Sequence, residues 1–512
     1  MCATSYADYQ ENATDFCYNA LMQIDPTQIP PEVAAIAERL EGAGYEAHLI
    51  GGCVRDLLLG KTPKDWDITT DAVPDAIQAL FPDSFCNNDY GTVGVKNETT
   101  EDERLKVVEV TPYRSESEYS DARRPDQVQF GVSLKEDLAR RDFTVNALAY
   151  RLATGELIDE FHGLADLADT RLRAVRDPDE RFAEDALRMM RAVRLAAELD
   201  FMIESDTMAA IVRNSSRLQR ISIERVASEF LRLIDSPAPM HGLFLLEKLG
   251  LLKEFIPEFA VSIGCDQSGI HAYDVFEHLL RTLQAAADKN YSTTMRLAAL
   301  FHDIGKPATR RTGGRTKKYT FFGHEVVGAR MTQQILERLK LPRELVDEVV
   351  LLVRWHMFFA DPDEITLSAV RRTITRVGEH NIENLLNLRV CDRIGTGRPK
   401  EQPFRFRKYK AMVDEALRDP ISVKLLRTNG DRIMAMTGEK PGRKLGYILH
   451  ALLEEVLDDP SKNTEAYLDT RVTELLTLPE AELITLAEAG KQKQALEEAA
   501  ALDAIAREHR VG

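Results

Sequence analysis

Hydrophobic and polar positions fall into three textures along the chain. Up to about residue 30 it is polar and acidic, and the close at Pro26, Pro30 and Pro31 predicts a flexible or loosely helical lead-in. From 32 to 160, short β-type runs alternate with helical ones. Glu46–Ile50, Trp66–Thr69, Thr92–Val95 and Lys106–Val110 predict strands, with one helix over 53–59 and another from Pro74. That alternation predicts a small mixed α/β sheet. Beyond about 163 the pattern is helical throughout. Between Arg181 and Leu199, the apolar residues Ala186, Leu187, Met190, Val193 and Ala197 recur at helical spacing and predict one amphipathic helix. The Ala/Glu-rich stretch Ala481 to Arg507 predicts a surface or partner-binding helix. The fold class is therefore α+β, a sheet followed by helices, without internal repeats.

Composition narrows the class. A length of 512 residues exceeds one hydrophobic core and implies three or four modules. Apolar residues at 44% and charged residues at 29% suit a globular chain and are too apolar for a disordered one. The 66 Lys+Arg against 83 Asp+Glu give −17, so nucleic-acid binding would have to come from local basic patches. One such patch lies between Arg393 and Lys444, where 14 basic and 6 acidic residues give 14 − 6 = +8. Within it Phe404, Phe406 and Tyr409 interleave with Arg405, Arg407, Lys408 and Lys410, a footprint for stacking on RNA or, alternatively, a solvated helix face with core aromatics. No run of ~18 apolar residues predicts a membrane helix. The opening Met1 to Asp8 lacks the basic and apolar regions of a secretory signal. Six cysteines (Cys2, Cys17, Cys53, Cys86, Cys265, Cys391) without C-x-x-C spacing read as free thiols, and the expected location is cytoplasmic.

Two constellations carry chemistry. In the first, Asp65-Trp66-Asp67 sits in a β-type run, where residues two apart share a face and can share divalent cations. Upstream, Gly51-Gly52-Cys53-Val54-Arg55-Asp56 puts two glycines between a strand and a helix, a turn that suits close approach to phosphates, with Arg55 as a fork. Glu109 can pair across the sheet as a third metal-facing carboxylate. Arg140-Arg141-Asp142-Phe143-Thr144-Val145-Asn146-Ala147 reads as opening a helix, with Arg141 toward a nucleotide and Asp142 toward its ribose, or as a plain capping arrangement. Asp185 and Arg188 fall on one helical face, with Arg191 further round and Arg194 furthest. An acid and an arginine side by side offer acceptors and donors to a base edge; the alternative is a surface salt-bridge ladder. In the second constellation His278, His302-Asp303, His324, His356 and Asp392 follow one another on helices, a nitrogen and oxygen donor set suited to a one- or two-metal hydrolytic site, with His271 as a further candidate.

Gly51–Gly60, Asp65-Trp66-Asp67, Gly91-Thr92-Val93, Glu109–Arg114, Arg140–Ala147 and Glu184–Arg194 together resemble the class II tRNA nucleotidyltransferases, the CCA-adding enzymes, with the related poly(A) polymerases. The resemblance implies a small mixed-sheet nucleotidyltransferase head followed by an all-α neck and body. It implies Mg²⁺ at Asp65 and Asp67. It also implies contacts from Gly51, Gly52, Arg55, Arg141, Asp142, Asp185, Arg188, Arg191 and Arg194 to CTP or ATP, and attack by a tRNA 3′-hydroxyl on the α-phosphate. Ile221–Arg225 resembles the motif that supports the neck helices. The histidine series resembles the HD phosphohydrolase superfamily, which implies a second divalent metal site of one or two ions and a phosphatase or phosphodiesterase, for example on 2′,3′-cyclic phosphates. The implied segments are a 1–30 extension, a 31–162 head, a 163–260 neck and RNA-binding region, a 261–400 HD domain, a 401–478 tRNA-binding region and a 479–512 tail. Gly94–Thr99 lacks the Gly-Arg-Arg-Phe type signature of poly(A) polymerases, and Ser120–Pro125 resembles the flexible loop of complete CCA-adding enzymes. A poly(A)- or partial-adding enzyme is the nearer alternative. A phosphohydrolase or RNA-binding protein with an inert sheet is the more distant one.

Overall fold

The computed structural model describes residues 24–86, 91–98, 100–117, 127–267, 272–312, 319–358, 365–397 and 400–488. The chain divides into two units, Met1–Pro257 and Glu258–Gly512. Among the described residues no helix is long and apolar enough to cross a membrane.

The first unit is built on a sheet of β1 (Ala47–Ile50), β2 (Asp67–Thr70), β3 (Ser84–Cys86), β4 (Val93–Lys96), β5 (Val107–Pro112), β8 (Leu148–Arg151) and β9 (Glu156–Asp159), in the order β3-β4-β5-β2-β1-β8-β9. Strands β6 (Arg114–Ser117) and β7 (Gln127–Phe130) form a separate antiparallel ribbon. Only β2 and β5 run parallel within the large sheet. Leu49, Ile68, Val93, Val108 and Val110 are fully buried along its centre, and the helix Pro31–Gly42 lays Val33, Ile36 and Leu40 into the core. The four predicted strands are present within two residues of their expected ends.

Two expectations are corrected here. The helix over Arg181–Leu199 is two helices, Pro178–Glu184 and Leu187–Leu199. Asp185 between them is extended (φ −139°, ψ 103°), and its Oδ1 accepts from Leu187 N at 3.0 Å. A short acid that bonds the backbone two residues on competes with the helix at that point. The Arg140–Ala147 block does not open a helix. Arg140 caps the end of Leu134–Ala139, Phe143 bridges Ala174, and Thr144–Asn146 makes one 3₁₀ turn before β8.

The second unit is helical, with helices Val275–Asp288, Thr293–Phe301, His324–Arg338, Arg343–Trp355, Leu367–Val377 and Glu379–Gly395 ahead of a further set from Phe404 to Ala487. Gly305 fixes one crossing in it. A Cβ there would stand 2.2 Å from the His324 carbonyl oxygen and 2.6 Å from Gly328 N, so only glycine lets these segments approach.

Candidate active sites

In the first unit the chain leaves β1 and reverses at Gly51, whose φ of 78° and ψ of −131° exclude a comfortable side chain. A Cβ on Gly51 would lie 3.0 Å from the Arg141 guanidinium, so the bare backbone lets Arg141 close on the start of the helix Gly52–Leu58. Beside it, Asp67 opens β2 directly opposite Glu109 of β5. Partners in register project to the same face, so the two carboxylates stand side by side. Asp65 is not on the strand as expected. The β1–β2 ladder begins at Leu49↔Ile68, no ladder partner extends to residue 65, and Asp65 is exposed in the bend before β2.

Burial pushes the Asp67 carboxyl up to about 6, Arg141 opposes the rise, and Glu109 and Asp65 add to it. Asp65, Asp67 and Glu109 have no side-chain hydrogen bond or ion pair among the described residues. Three carboxylates thus lie near one sheet end with Arg141 the cation that opposes their charge, a donor chemistry suited to a hard divalent cation.

Behind this face runs a buried polar chain. Arg55 donates to Asp56 Oδ1 through Nε and Nη2 and to Asn146 Oδ1 at 2.7 Å. Asn146 donates to Asp142 Oδ1 at 3.1 Å, and Asp142 Oδ2 accepts from Arg191 Nε and Nη2 at 2.8 and 2.6 Å. Burial alone would raise the Asp142 carboxyl, but the Arg191 guanidinium holds it well below the usual carboxylate range. Arg194 is buried against Glu229 at 2.5 Å and Glu198 at 2.6 Å, its charge matched inside the protein.

Asp185 and Arg188 do not bond one another side chain to side chain as one helical face would suggest, because the break at Asp185 separates them. Asp185 Oδ2 accepts from Arg225 at 2.7 Å. Arg188 donates to Glu184 Oε2 at 2.7 Å, to the Arg140 carbonyl at 2.9 Å and to the Arg181 carbonyl at 3.2 Å. Sequence reasoning quoted Asn146, Glu184 and Arg225 within motifs without giving them these partners, and it did not name Glu229. Arg225 and Glu229 are four apart on the helix Ile223–Ile234 and so share a face, a spacing the sequence does display.

The second unit brings all six histidine-series residues together. Asp303 Oδ2 lies 3.2 Å from His278 Nε2 and 3.2 Å from His302 Nε2, while its Oδ1 lies 3.1 Å from His324 Nε2 and 3.5 Å from His356 Nε2. Asp392 Oδ1 closes the first group at 3.4 Å from His278 Nε2. Ring orientation is set from behind: Nδ1 of His302, His324 and His356 meets the carbonyl three residues earlier, Ala299, Phe321 and Val353, at 2.9, 2.7 and 2.7 Å. A donor on each Nδ1 turns Nε2, which lies beside Asp303 and a second imidazole, into the atom a metal would take. Lys306 holds Asp303 at 2.5 Å and Gln267 at 2.7 Å, and Arg389 holds Asp392 at 2.6 Å, three supports the sequence reading missed. Burial disfavours the charged His302 imidazole, but Asp303 and Asp392 raise it to about 9. Two groups of ligand atoms, His278/His302/Asp303 and Asp303/His324/His356, are each compact enough for one metal ion and share Asp303.

Elsewhere the stacking footprint is corrected. Phe406 and Tyr409 are core residues, and only Phe404, 70% exposed, faces solvent beside the exposed Arg405, Arg407, Lys408 and Lys410. The 3.6-residue period turns two of the three rings inward. His271, Ser120–Pro125, Cys2, Cys17 and most of Ala481–Arg507 lie outside the described residues.

Three family models match the chain: the poly A polymerase head domain over residues 47–173, the probable RNA and SrmB-binding site of polymerase A over 200–263, and the HD domain over 275–394. A CCA-adding enzyme of Levilactobacillus brevis is 48% identical over 226 residues, covering 44% of this chain and 55% of that one. One of Enterococcus faecalis is 48% identical over 204 residues, covering 40% and 48%. The chain thus spans about half the length of the curated relatives it matches. A Bacillus stearothermophilus CCA-adding enzyme in complex with CTP matches with a TM-score of 0.65 at 28% identity, covering 87% of this chain and 98% of that one. A Thermotoga maritima CCA-adding enzyme complexed with tRNA(CCA) shares the fold at 18% identity and a TM-score of 0.52, covering 88% and 97%.

Proposed function

We propose, for a chain that belongs to the tRNA nucleotidyltransferase and poly(A) polymerase family, the template-independent addition of the 3′-terminal CCA sequence to tRNA from CTP and ATP, with release of pyrophosphate. The observation that carries the reading is the Asp67↔Glu109 register beside Asp65, with Arg141 closed on the Gly51 turn. Asp65, Asp67 and Glu109 would hold Mg²⁺, which when bound neutralises phosphate charge and lowers the pKa of an attacking hydroxyl. Gly51 and Gly52 open the backbone to the phosphates, and Arg141 lends its charge at the same point. The Arg55–Asn146–Asp142–Arg191 chain keeps that wall rigid, so positioning is bought before the nucleotide arrives.

Asp185 and Arg188 supply the acceptor and donors for a C or A edge. Each is already held by a protein partner, Arg225 and Glu184, so little side-chain entropy remains to be lost on binding. Arg194 acts through Glu229 rather than on the nucleotide. A poly(A) polymerase is the second reading, and the interval Gly94–Thr99 without the Gly-Arg-Arg-Phe signature weighs against it.

The second unit we assign to metal-dependent phosphohydrolysis. Asp303, with one oxygen toward each histidine pair, supports two divalent ions held by His278, His302, Asp392, His324 and His356. Cys53, Cys86, Cys265 and Cys391 are in no disulfide among the described residues, which suits a reducing cytoplasm. The test of the main reading is to incubate the protein with tRNA ending at the discriminator base, supply CTP and ATP singly and together, and sequence the 3′ ends. CC with CTP alone and CCA with both support it; an A tract, or no extension, contradicts it.

A further inference from the structure

A small pocket adjoins Arg188. The first unit holds a pocket of about 190 Å³ lined by Ser115, Glu136, Arg140, Arg176, Arg181 and Glu184. Its wall is shared with Arg188, which bonds the carbonyls of Arg140 and Arg181 and the Glu184 carboxylate. Most of the charge in that wall is matched. Arg140 is paired to Asp137 at 2.6 Å, Arg181 and Arg188 to Glu184, and the Glu136 carboxylate closes a capping box on Ser133.

Arg176 is different. It is exposed, has no hydrogen bond or ion pair among the described residues, and stands in the left-handed region at φ 63°. That conformation is strained for a long side chain. The Ser115 hydroxyl is likewise without a hydrogen-bond partner among the described residues. An uncompensated guanidinium and an unused hydroxyl at one small, arginine-walled pocket match the donors that a phosphodiester oxygen takes.

We propose that this pocket binds a backbone phosphate of the RNA being extended, with Arg176 as its principal ligand. The inference rests on the nucleotidyl-transfer reading above. With the incoming base at the Asp185–Arg188 pair, the primer nucleotide that it joins would lie next to that pair, and the pocket adjoins the pair through Arg140, Arg181 and Glu184, so the primer backbone is the RNA phosphate source nearest to it. The same donors would take the released pyrophosphate, so the ligand chemistry is a phosphoryl anion from one of two sources.

Arg176→Gly separates this role from a structural one, because glycine relaxes the positive φ while removing the charge. The full-length variant is compared with wild type in three measurements: equilibrium binding of tRNA by anisotropy without nucleotide, KM for tRNA and for CTP, and inhibition by pyrophosphate. The result expected is a melting temperature equal to or above wild type, tRNA Kd and KM raised about tenfold, and CTP KM unchanged. The salt dependence of tRNA binding should fall by roughly one in slope, and Arg176→Lys should restore part of the loss. Unchanged tRNA affinity overturns the site, as does a rise confined to CTP KM. Weakened pyrophosphate inhibition with intact tRNA binding overturns the RNA assignment in favour of the product. If wild type binds tRNA yet adds no nucleotide, the transfer reading fails while the binding comparison still decides the pocket.

Discussion

Asp67 on β2 lies opposite Glu109 on β5 across the one parallel pairing of the large sheet. Parallel register places both side chains on one face and gives the pair a common direction, which an antiparallel neighbour at a sheet end would not extend to Asp65 in the preceding bend. The two carboxylates therefore lie where β1 hands over to the Gly51 turn, so the open backbone at Gly51 and the acidic pair are set by the same few residues.

Breaking the buried pair behind that face should loosen the fold. Asp142→Asn leaves the half-buried Arg191 with only Glu229, 3.9 Å away, and a loss of about 1–2 kcal/mol is expected from urea unfolding. The pH dependence has a definite sign. Because the folded Asp142 carboxyl titrates below its unfolded value, its contribution is full above the unfolded carboxylate pKa and is lost as pH falls toward the folded one. Wild type should thus lose more stability below about pH 4 than the variant does, and identical acid limbs would count against the coupling.

Arg188→Ala removes the donors at the helix break and should cut the discrimination between CTP and ATP by at least about tenfold, read as the ratio of kcat/KM values on tRNA ending in CC. Selectivity equal to wild type would remove Arg188 from base recognition.

Asp303→Asn should cost the second unit its metals and its hydrolysis together, because the same carboxylate faces both histidine pairs. Metal analysis after dialysis is expected to give two ions bound per wild-type second unit and none retained by the variant, while nucleotide addition continues. Loss of both activities would argue against two separate sites.

Gly305→Ala tests how that centre is packed. The added methyl meets the His324 carbonyl and Gly328 N, so the variant should be destabilised by about 2 kcal/mol and hydrolyse poorly, with a thermal melt as the readout. A melt unchanged from wild type would show that the crossing can yield.

The sequence patterns made some of this legible and left the rest hidden for physical reasons. β1, β2, β4 and β5 declared themselves through β-branched runs bounded by turns, and with them the Asp67–Glu109 juxtaposition. The six clustered histidine and aspartate residues of the second unit were legible because each lies in a helical context that turns it inward. Periodicity carried straight through Asp185, since nothing in a hydrophobic pattern marks a backbone-bonding acid, and so Asp185 and Arg188 were put on one face. Arg194 was placed furthest round the row of charges, and its partner Glu229 comes from 35 residues on, which spacing along one helix does not display. Phe406 and Tyr409 read as stacking surface because composition is blind to which side of a helix meets the core.

The most direct measurement of the central claim is single-turnover addition of one C to tRNA by Asp67→Asn, with cyclic-phosphate hydrolysis by the second unit followed in the same preparation. Addition is expected to fall by at least about a thousandfold, with hydrolysis and melting temperature held at wild-type values. Addition within tenfold of wild type would contradict that claim, because the carboxylate that Glu109 faces would then not be where the phosphoryl chemistry occurs.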